Sequence, residues 1–70
     1  MEAMDTLGKR IRECRIAKNL TQPQLAKAIG VSNGIISTWE NDIYEPKASL
    51  LKKLCLVLGE SADYLLGLEN

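Results

Sequence analysis

The chain has no histidine and only two cysteines, and these absences narrow the chemistry open to it. Without histidine, neither a Ser-His-Asp triad nor a Cys-His pair can be assembled, so the common nucleophilic enzymes are excluded. Cys14 and Cys55 alone complete none of the familiar zinc-ligand sets. We therefore expect a protein that is not an enzyme and that holds no metal or cofactor, and no sequence feature indicates a small-molecule ligand.

The features of disulfide-rich, secreted and membrane-spanning proteins are also missing. Both cysteines fall on apolar faces, Cys14 three residues after Ile11 and Cys55 between Leu54 and Leu58. Two thiols form no disulfide framework, so we expect small buried side chains rather than a bridge. The polar segment Met1–Thr6 carries Glu2 and Asp5, whereas a signal peptide needs an apolar run and a positive flank. No stretch approaches the apolar length of a membrane span. These features predict a reducing, cytoplasmic setting without membrane partners.

Excess charge of either sign is missing too, since nine basic residues balance nine acidic ones. A nucleic-acid binder usually carries a positive excess, because neutralising phosphates supplies much of its affinity. The distribution is uneven, however: residues 32–46 hold three acids and no base. Residues 1–31 hold three acids and six bases, which are Lys9, Arg10, Arg12, Arg15, Lys18 and Lys27. Any basic surface is therefore expected on the N-terminal half and near Lys47.

Apolar residues recur at steps of three and four, and only two prolines interrupt them, which predicts an all-α fold. Thr21 and Gln24 form a capping-box pattern, and Ser32 and Ser61 are good N-caps. We expect one domain over residues 7–66, an N-terminal extension at 1–6 and a C-terminal tail at 67–70. Its five short helices would run from Thr6 to Lys18, Thr21 to Gly30, Ser32 to Asn41, Lys47 to Leu58 and Ser61 to Leu66.

The segment Gln22–Trp39 predicts two helices joined by a tight turn, as in a helix-turn-helix. Ala26 is small enough for the two helices to cross closely, and Gly30 suits the left-handed backbone that ends the first of them. The apolar positions that hold this unit together are Leu25, Ala26, Ile29, Gly30, Val31, Ile36 and Trp39.

A helical wheel of the third helix separates a buried side from a free one. Trp39 and Ile35 mark the buried side beside Ile36, and Asn33 lies at the helix tip. The free side carries the small residues Gly34, Ser37, Thr38 and Asn41. A helix fits the major groove of DNA, where an asparagine suits adenine and a hydroxyl suits either a donor or an acceptor.

At this point the chain resembles the phage-repressor and Cro family of helix-turn-helix regulators, also called the xenobiotic-response-element type. The similarity covers about residues 7–66 and is carried by Leu7-Gly8-Lys9-Arg10-Ile11-Arg12, Leu20-Thr21-Gln22, Gly30-Val31-Ser32, Trp39-Glu40-Asn41 and Asp63-Tyr64-Leu65-Leu66. The resemblance implies a lambda-repressor-like fold and a transcriptional regulator, a repressor above all, whose third helix reads double-stranded DNA. It implies base contacts at Asn33, Gly34, Ser37 and Thr38, although Gly34 departs from the usual polar residue and exchanges a side-chain contact for close backbone approach.

Phosphate contacts are expected at helix N-termini, whose free N–H groups attract anions. Gln22 and Ser32 open the second and third helices, and Asn41 follows the third; all three match phosphate-contacting positions of the family. Arg10 is a further candidate, although charged residues such as Lys9, Arg10 and Arg12 on a first helix more often face solvent than contact a phosphate. The loop Asp42–Pro46 carries two acids where the family usually has glycine and basic residues, so we expect it to turn aside or the affinity to be modest.

Arg15 shares the apolar stripe of the first helix and Glu40 flanks the core of the third, so we interpret them as a structural ion pair. The last helix has two interpretations, closure of the core and a dimer contact. Leu65 suits the first, and the remaining apolar side chains, Tyr64, Leu66 and Leu68, suit a symmetric homodimer on a palindromic operator.

A second functional class stays open. Zero net charge, the acidic loop and the apolar tail also fit a helix-turn-helix module that binds another protein, such as an antitoxin or the partner of a regulator. Salt dependence separates the two hypotheses, since DNA binding weakens steeply with salt and an apolar interface does not.

Overall fold

Five helices make up the part of the chain that the structure, a computed structural model, describes, which is residues 5–69. In chain order they are α1 (Leu7–Ala17), α2 (Gln22–Ile29), α3 (Asn33–Glu40), α4 (Ala48–Leu58) and α5 (Ala62–Leu65). The all-α prediction is confirmed, with boundaries within two residues of those expected. Residues 1–4 of the predicted extension, with most of the segment compared with a signal peptide, and Asn70 of the predicted tail lie outside the described residues.

Local capping explains where the helices begin. The Thr6 hydroxyl accepts the Lys9 N–H at the start of α1, and the Ser61 hydroxyl accepts the Tyr64 N–H at the start of α5. The capping box predicted at α2 is complete, because side chain and backbone bond in both directions between Thr21 and Gln24. Ser32 occupies the N-cap position of α3 with extended backbone, but its side chain makes no capping hydrogen bond.

Gly30 ends α2 with a φ of +91°, in the left-handed region that glycine adopts at little cost. The chain therefore reverses sharply into α3, which packs against both α1 and α2. α4 packs on α2, and α5 closes the bundle against α1 and α4. None of the helices within residues 5–69 combines the length and apolar content needed to cross a bilayer.

A single core fills the space between the helices. Its fully buried members are Ile11, Leu25, Ile29, Ile36, Leu54, Leu58 and Leu65. Ala26 and Trp39 are buried as predicted, whereas Val31 is half-buried at the edge. The prediction for Ile35 is wrong, since its side chain keeps 39% of its surface exposed. α3 buries Ile36, Trp39 and Glu40 instead, which leaves the flank at Ile35 open.

Both cysteines are free thiols, and their burial differs. Cys14 is buried as expected, whereas Cys55 is only half-buried. Burial raises the pKa of the Cys14 thiol above its ordinary value, and the negative charges of Glu60 and Glu13 raise it further. Burial also raises the pKa of the Cys55 thiol. Both thiols are therefore held in the protonated, weakly nucleophilic form at neutral pH.

Candidate nucleic-acid interface

The residues predicted to read base edges lie together on the outer side of α3. Asn33 and Gly34 are exposed in its first turn, and Ser37 and Thr38 are half-buried one turn later. The opposite side packs into the core, so the fold leaves this side of α3 uncovered. We call Asn33, Gly34, Ser37 and Thr38 the α3 strip.

Hydrogen bonds within α3 fix the direction in which the hydroxyls of the α3 strip interact. Thr38 Oγ1 donates its proton to the carbonyl oxygen of Ile35 at 2.7 Å, so it presents acceptor lone pairs outward. Asn41 Nδ2 donates to the Ser37 carbonyl at 2.9 Å and to Ser37 Oγ at 3.3 Å. Ser37 Oγ therefore accepts from Asn41 and keeps its own proton for a partner outside.

A buried ion pair ties α1 to α3, as the sequence predicts. Arg15 Nε and Nη2 donate to the two carboxylate oxygens of Glu40 at 2.6 and 3.0 Å, and Nη1 donates to the Leu20 carbonyl at 2.8 Å. The hydrogen bond to Glu40 raises the pKa of Arg15 above its ordinary value. Only 11% of the Arg15 side chain and 3% of the Glu40 side chain are exposed. This geometry is bidentate, the arrangement in which guanidinium and carboxylate match best.

Glu40 also holds the first residue of α2. Gln22 Nε2 donates to Glu40 Oε1 at 3.0 Å, so one side chain orients both an α1 arginine and the predicted phosphate contact at the start of α2. The other predicted phosphate contacts, Ser32 and Asn41, lie at the two ends of α3 and are exposed. The three residues thus frame the α3 strip, and the Ser32 hydroxyl is not used as a helix cap.

Arg10 is not placed to contact a phosphate, and this prediction is wrong. Its side chain is buried at 8% exposure. Nε donates to Asp5 Oδ1 at 3.0 Å, Nη2 pairs with the other oxygen of Asp5, and Nη1 donates to the Tyr64 carbonyl at 2.7 Å. The guanidinium carbon also lies 4.5 Å from the centre of the Tyr64 ring. These contacts occupy the guanidinium inside the fold, and Asp5 raises the pKa of Arg10.

The other two basic residues of the first turns of α1 are placed differently. Lys9 and Arg12 are exposed, and they line an open groove of about 440 Å³ between α1 and the end of α3. Asn41 lines the same groove. Lys9 and Arg12 therefore bring two exposed positive charges to the groove that the predicted phosphate contact Asn41 also lines.

The loop after α3 holds one of its two acids by hydrogen bonds to the start of α1. Asp42, with a φ of +59°, accepts the Gly8 N–H on Oδ1 at 3.0 Å and the Thr6 hydroxyl on Oδ2 at 2.6 Å. Its negative charge therefore lies at the N-terminus of α1, where the helix dipole is favourable. Asp42 itself stays exposed, as do Ile43, Tyr44 and Glu45. The turning-aside expected of this loop thus holds for Asp42 alone.

Gly8 is required for the packing of α1 against α3, and the spacing arguments missed it. A Cβ built on it would lie 2.2 Å from the Trp39 carbonyl oxygen and 2.6 Å from Asp42 Oδ1. Only glycine lets the first turn of α1 approach the end of α3 so closely. The single sequence signal is a glycine in a helical first turn, which by itself does not name its distant partner.

The apolar stripe predicted for dimer contact divides in two. Tyr64 is half-buried under Arg10 and packs against the core, so most of its ring serves the fold itself. Leu66 and Leu68 are exposed, at 48% and 72%. Only these two members of the stripe remain for a contact outside the chain.

The left-handed turn at Gly30 and the uncovered polar side of α3 define a helix-turn-helix nucleic-acid-binding domain. The family model described as Helix-turn-helix matches residues 11–65, and the chain belongs to this family. The P22 c2 repressor protein, solved as a crystal structure in complex with synthetic operator 9T, shares 43% sequence identity with this chain. That structure superposes with a TM-score of 0.84, over 87% of this chain and 92% of that one.

Two curated relatives are similar over most of the chain. The HTH-type transcriptional regulator ImmR of Bacillus subtilis (strain 168) is 37% identical over 62 residues, which cover 89% of this chain and 49% of the relative. Repressor protein C2 of Salmonella phage P22 is 43% identical over 60 residues, which cover 86% of this chain and 28% of the relative. The chain thus spans half or less of the length of these two proteins.

Proposed function

We propose that this chain binds double-stranded DNA sequence-specifically as the reading domain of a transcriptional regulator, a repressor, and that it has no catalytic role. The observation that carries the proposal is the α3 strip, whose small polar groups face outward on a helix held rigidly by the core and by Glu40. The similarity to a repressor solved in complex with operator DNA supports the same function. Such a protein acts where the DNA is, in the cytoplasm of a bacterial cell.

Each member of the α3 strip has a role that follows from its hydrogen-bonding state. Asn33 pairs in a bidentate manner with adenine, Thr38 accepts from an exocyclic amino group, and Ser37 donates to a carbonyl or ring nitrogen. A Cβ on Gly34 would have nothing within 4 Å, so the missing side chain leaves space for the edge of a base pair.

Phosphates on both sides of the groove position α3. We assign these contacts to Gln22, Ser32 and Asn41, which frame the α3 strip, and to Lys9 and Arg12 in place of Arg10. Their contribution is independent of sequence and depends on salt, because each neutralised phosphate releases counterions.

We further propose that the domain binds as a homodimer on a palindromic operator, with half-sites about one helical turn apart. The exposed side chains of Leu66 and Leu68 support a symmetric contact at the end of the chain.

The test begins with selection of bound duplexes from a random pool, followed by fluorescence anisotropy on the selected site and on a scrambled duplex. Asn33→Ala and Thr38→Val should each weaken binding to the selected site by about 1–3 kcal/mol while leaving the scrambled duplex nearly unaffected. Lys52→Ala, an exposed α4 charge outside the α3 strip, is the matched control. Equal losses on both duplexes would remove the base-reading assignment.

Protein binding is the second candidate, favoured by the net charge of zero and by the exposed Leu66 and Leu68. A salt titration of the selected complex decides between the two, since the logarithm of a DNA affinity falls with the logarithm of salt by about 0.9 per phosphate contacted. A salt-independent complex with a protein, and no preferred duplex at low salt, would replace DNA binding with this function.

A further inference from the structure

Ile35 is an aliphatic side chain that the fold leaves beside the α3 strip. It lies in the second half of the first turn of α3, and 39% of its surface is exposed. One exposed aliphatic residue is ordinary on a protein surface. What distinguishes Ile35 is its position, directly after Gly34 and one turn before Thr38.

The backbone and side chains around Ile35 place an apolar group next to an acceptor. Thr38 lies three residues further along the helix, which brings the two side chains to neighbouring positions on one face. The Thr38 hydroxyl donates to the Ile35 carbonyl, so its oxygen only accepts from outside. On the same side of the helix, the open space at Gly34 lets a flat surface come close to the branched Ile35 side chain.

Only one kind of base pair offers both a hydrogen-bond donor and an apolar group in the major groove. In the major groove, an A·T pair presents the N6 amino donor of adenine and the C5 methyl of thymine, whereas an unmodified G·C pair has a donor but no methyl. An acceptor beside an aliphatic group is therefore complementary to A·T. Desolvation of a methyl against an aliphatic side chain is favourable without any directional bond.

We propose that Ile35 is a specificity-determining residue that packs against a thymine methyl in each half-site, while Thr38 accepts from adenine N6. This inference rests on the proposed DNA binding and adds a residue that the helical wheel assigned to the core. Ile35 is thus a direct reader of DNA, and its contact is apolar.

The experiment removes the methyl from the DNA as well as the side chain from the protein. On the selected operator, each thymine is replaced in turn by deoxyuridine, symmetrically in both half-sites, and affinity is measured for the wild type and for Ile35→Ala. For the wild type, one position should lose about fourfold in affinity per half-site. Ile35→Ala should bind the thymine operator more weakly and should bind thymine and deoxyuridine operators equally.

Two further variants keep the result interpretable. Ile35→Val retains a branched aliphatic group and should keep most of the discrimination, which also covers the case in which Ile35→Ala fails to fold. Leu56→Ala removes a side chain that is 73% exposed on α4 and should discriminate as the wild type does. Equal thymine preference in wild type and Ile35 variants at every position overturns the role of Ile35 alone. A wild type that prefers no duplex overturns the proposed function itself.

Discussion

At the scale of single side chains, two of the four basic residues of α1 are used inside the molecule. Arg10 is buried, only 11% of the Arg15 side chain is exposed, and each guanidinium meets a carboxylate and a backbone carbonyl. A buried charge that loses its partner is costly, because water no longer reaches it. The two arginines therefore contribute to the arrangement of helices rather than to a positive surface.

Replacing Glu40 by alanine should destabilise the fold strongly, since it leaves Arg15 buried without its carboxylate and releases Gln22. We expect the free energy of unfolding to fall by about 3 kcal/mol, measured by urea denaturation. Glu45→Ala, at an exposed acid of the following loop, should change it by less than about 0.5 kcal/mol. Similar values for the two variants would contradict the structural role of Glu40.

A second pair of variants separates two glycines of different function. Gly8→Ala should lower the free energy of unfolding by about 2 kcal/mol, because the new methyl meets the Trp39 carbonyl and Asp42. Gly34→Ala fills open space in a helix and should raise it by about 0.5 kcal/mol. Thermal and urea denaturation measure both, and a neutral Gly8→Ala would mean that α1 and α3 separate easily.

At the scale of elements, the loop between α3 and α4 places negative charge next to the DNA interface that we propose. Asp42 is bonded to the first turn of α1, and backbone N–H groups of Ile43 and Tyr44 donate to the Thr38 carbonyl at 2.9 and 3.4 Å. The loop is thus fixed at its start by α1 and α3. Glu45 is the acid that remains exposed beyond these contacts.

Glu45→Gln should therefore strengthen DNA binding without changing its sequence preference. At about 10 Å in water, one repulsion between unit charges is worth roughly 0.4 kcal/mol, or about twofold in affinity. The gain should be equal on selected and scrambled duplexes and should shrink as salt is raised. Glu60→Gln, an exposed acid between α4 and α5, is the control and should leave affinity unchanged. A gain confined to one sequence would point to a base contact instead.

Element-scale features were predictable from the sequence where their causes are local. The capping box of α2, the left-handed Gly30 and the face of the α3 strip each depend on residues a few positions apart. Arg15 and Glu40 were identified across 25 positions because both interrupt apolar stripes. In contrast, Arg10 donates a hydrogen bond to the Tyr64 carbonyl, 54 positions away in the sequence, and no periodicity indicates such a partner.

The lack of a sequence signal for distant partners also explains the differences between expectation and structure at Asp42 and at Ile35. Asp42 reaches the Gly8 N–H across 34 positions, so the sequence showed an acid in a loop but not the helix end that receives it. The wheel placed Ile35 beside Trp39, which is correct for its direction. Whether that direction is covered depends on how α3 crosses its neighbours, and a wheel of one helix contains no information on crossing.

At the scale of the whole molecule, zero net charge makes dimerisation important for the affinity for DNA. In a single domain, exposed bases such as Lys9 and Arg12 are offset by exposed acids such as Glu13, so the net gain from phosphates is small. Two linked domains double both the phosphate and the base contacts. The exposed side chains of Leu66 and Leu68 form the surface through which we propose that two domains associate.

Introducing charge at this surface tests the pairing. The double variant Leu66→Asp with Leu68→Asp should sediment as a monomer at concentrations where the wild type forms dimers. Its affinity for a full palindrome should fall by at least tenfold while its affinity for an isolated half-site stays the same. Leu56→Asp controls for the effect of a charge at an exposed leucine elsewhere. Loss of half-site binding as well would indicate damage to the fold.

The contacts of Arg10 have a practical consequence for anyone who modifies this domain. One guanidinium connects Asp5, ahead of the first helix, to Tyr64 in the last one. A tag or reporter joined directly before Thr6 would replace Asp5, and the disturbance would reach α5 through Arg10, close to Leu66. Fusions that keep Asp5 and a short spacer in front of it should preserve the geometry at both ends.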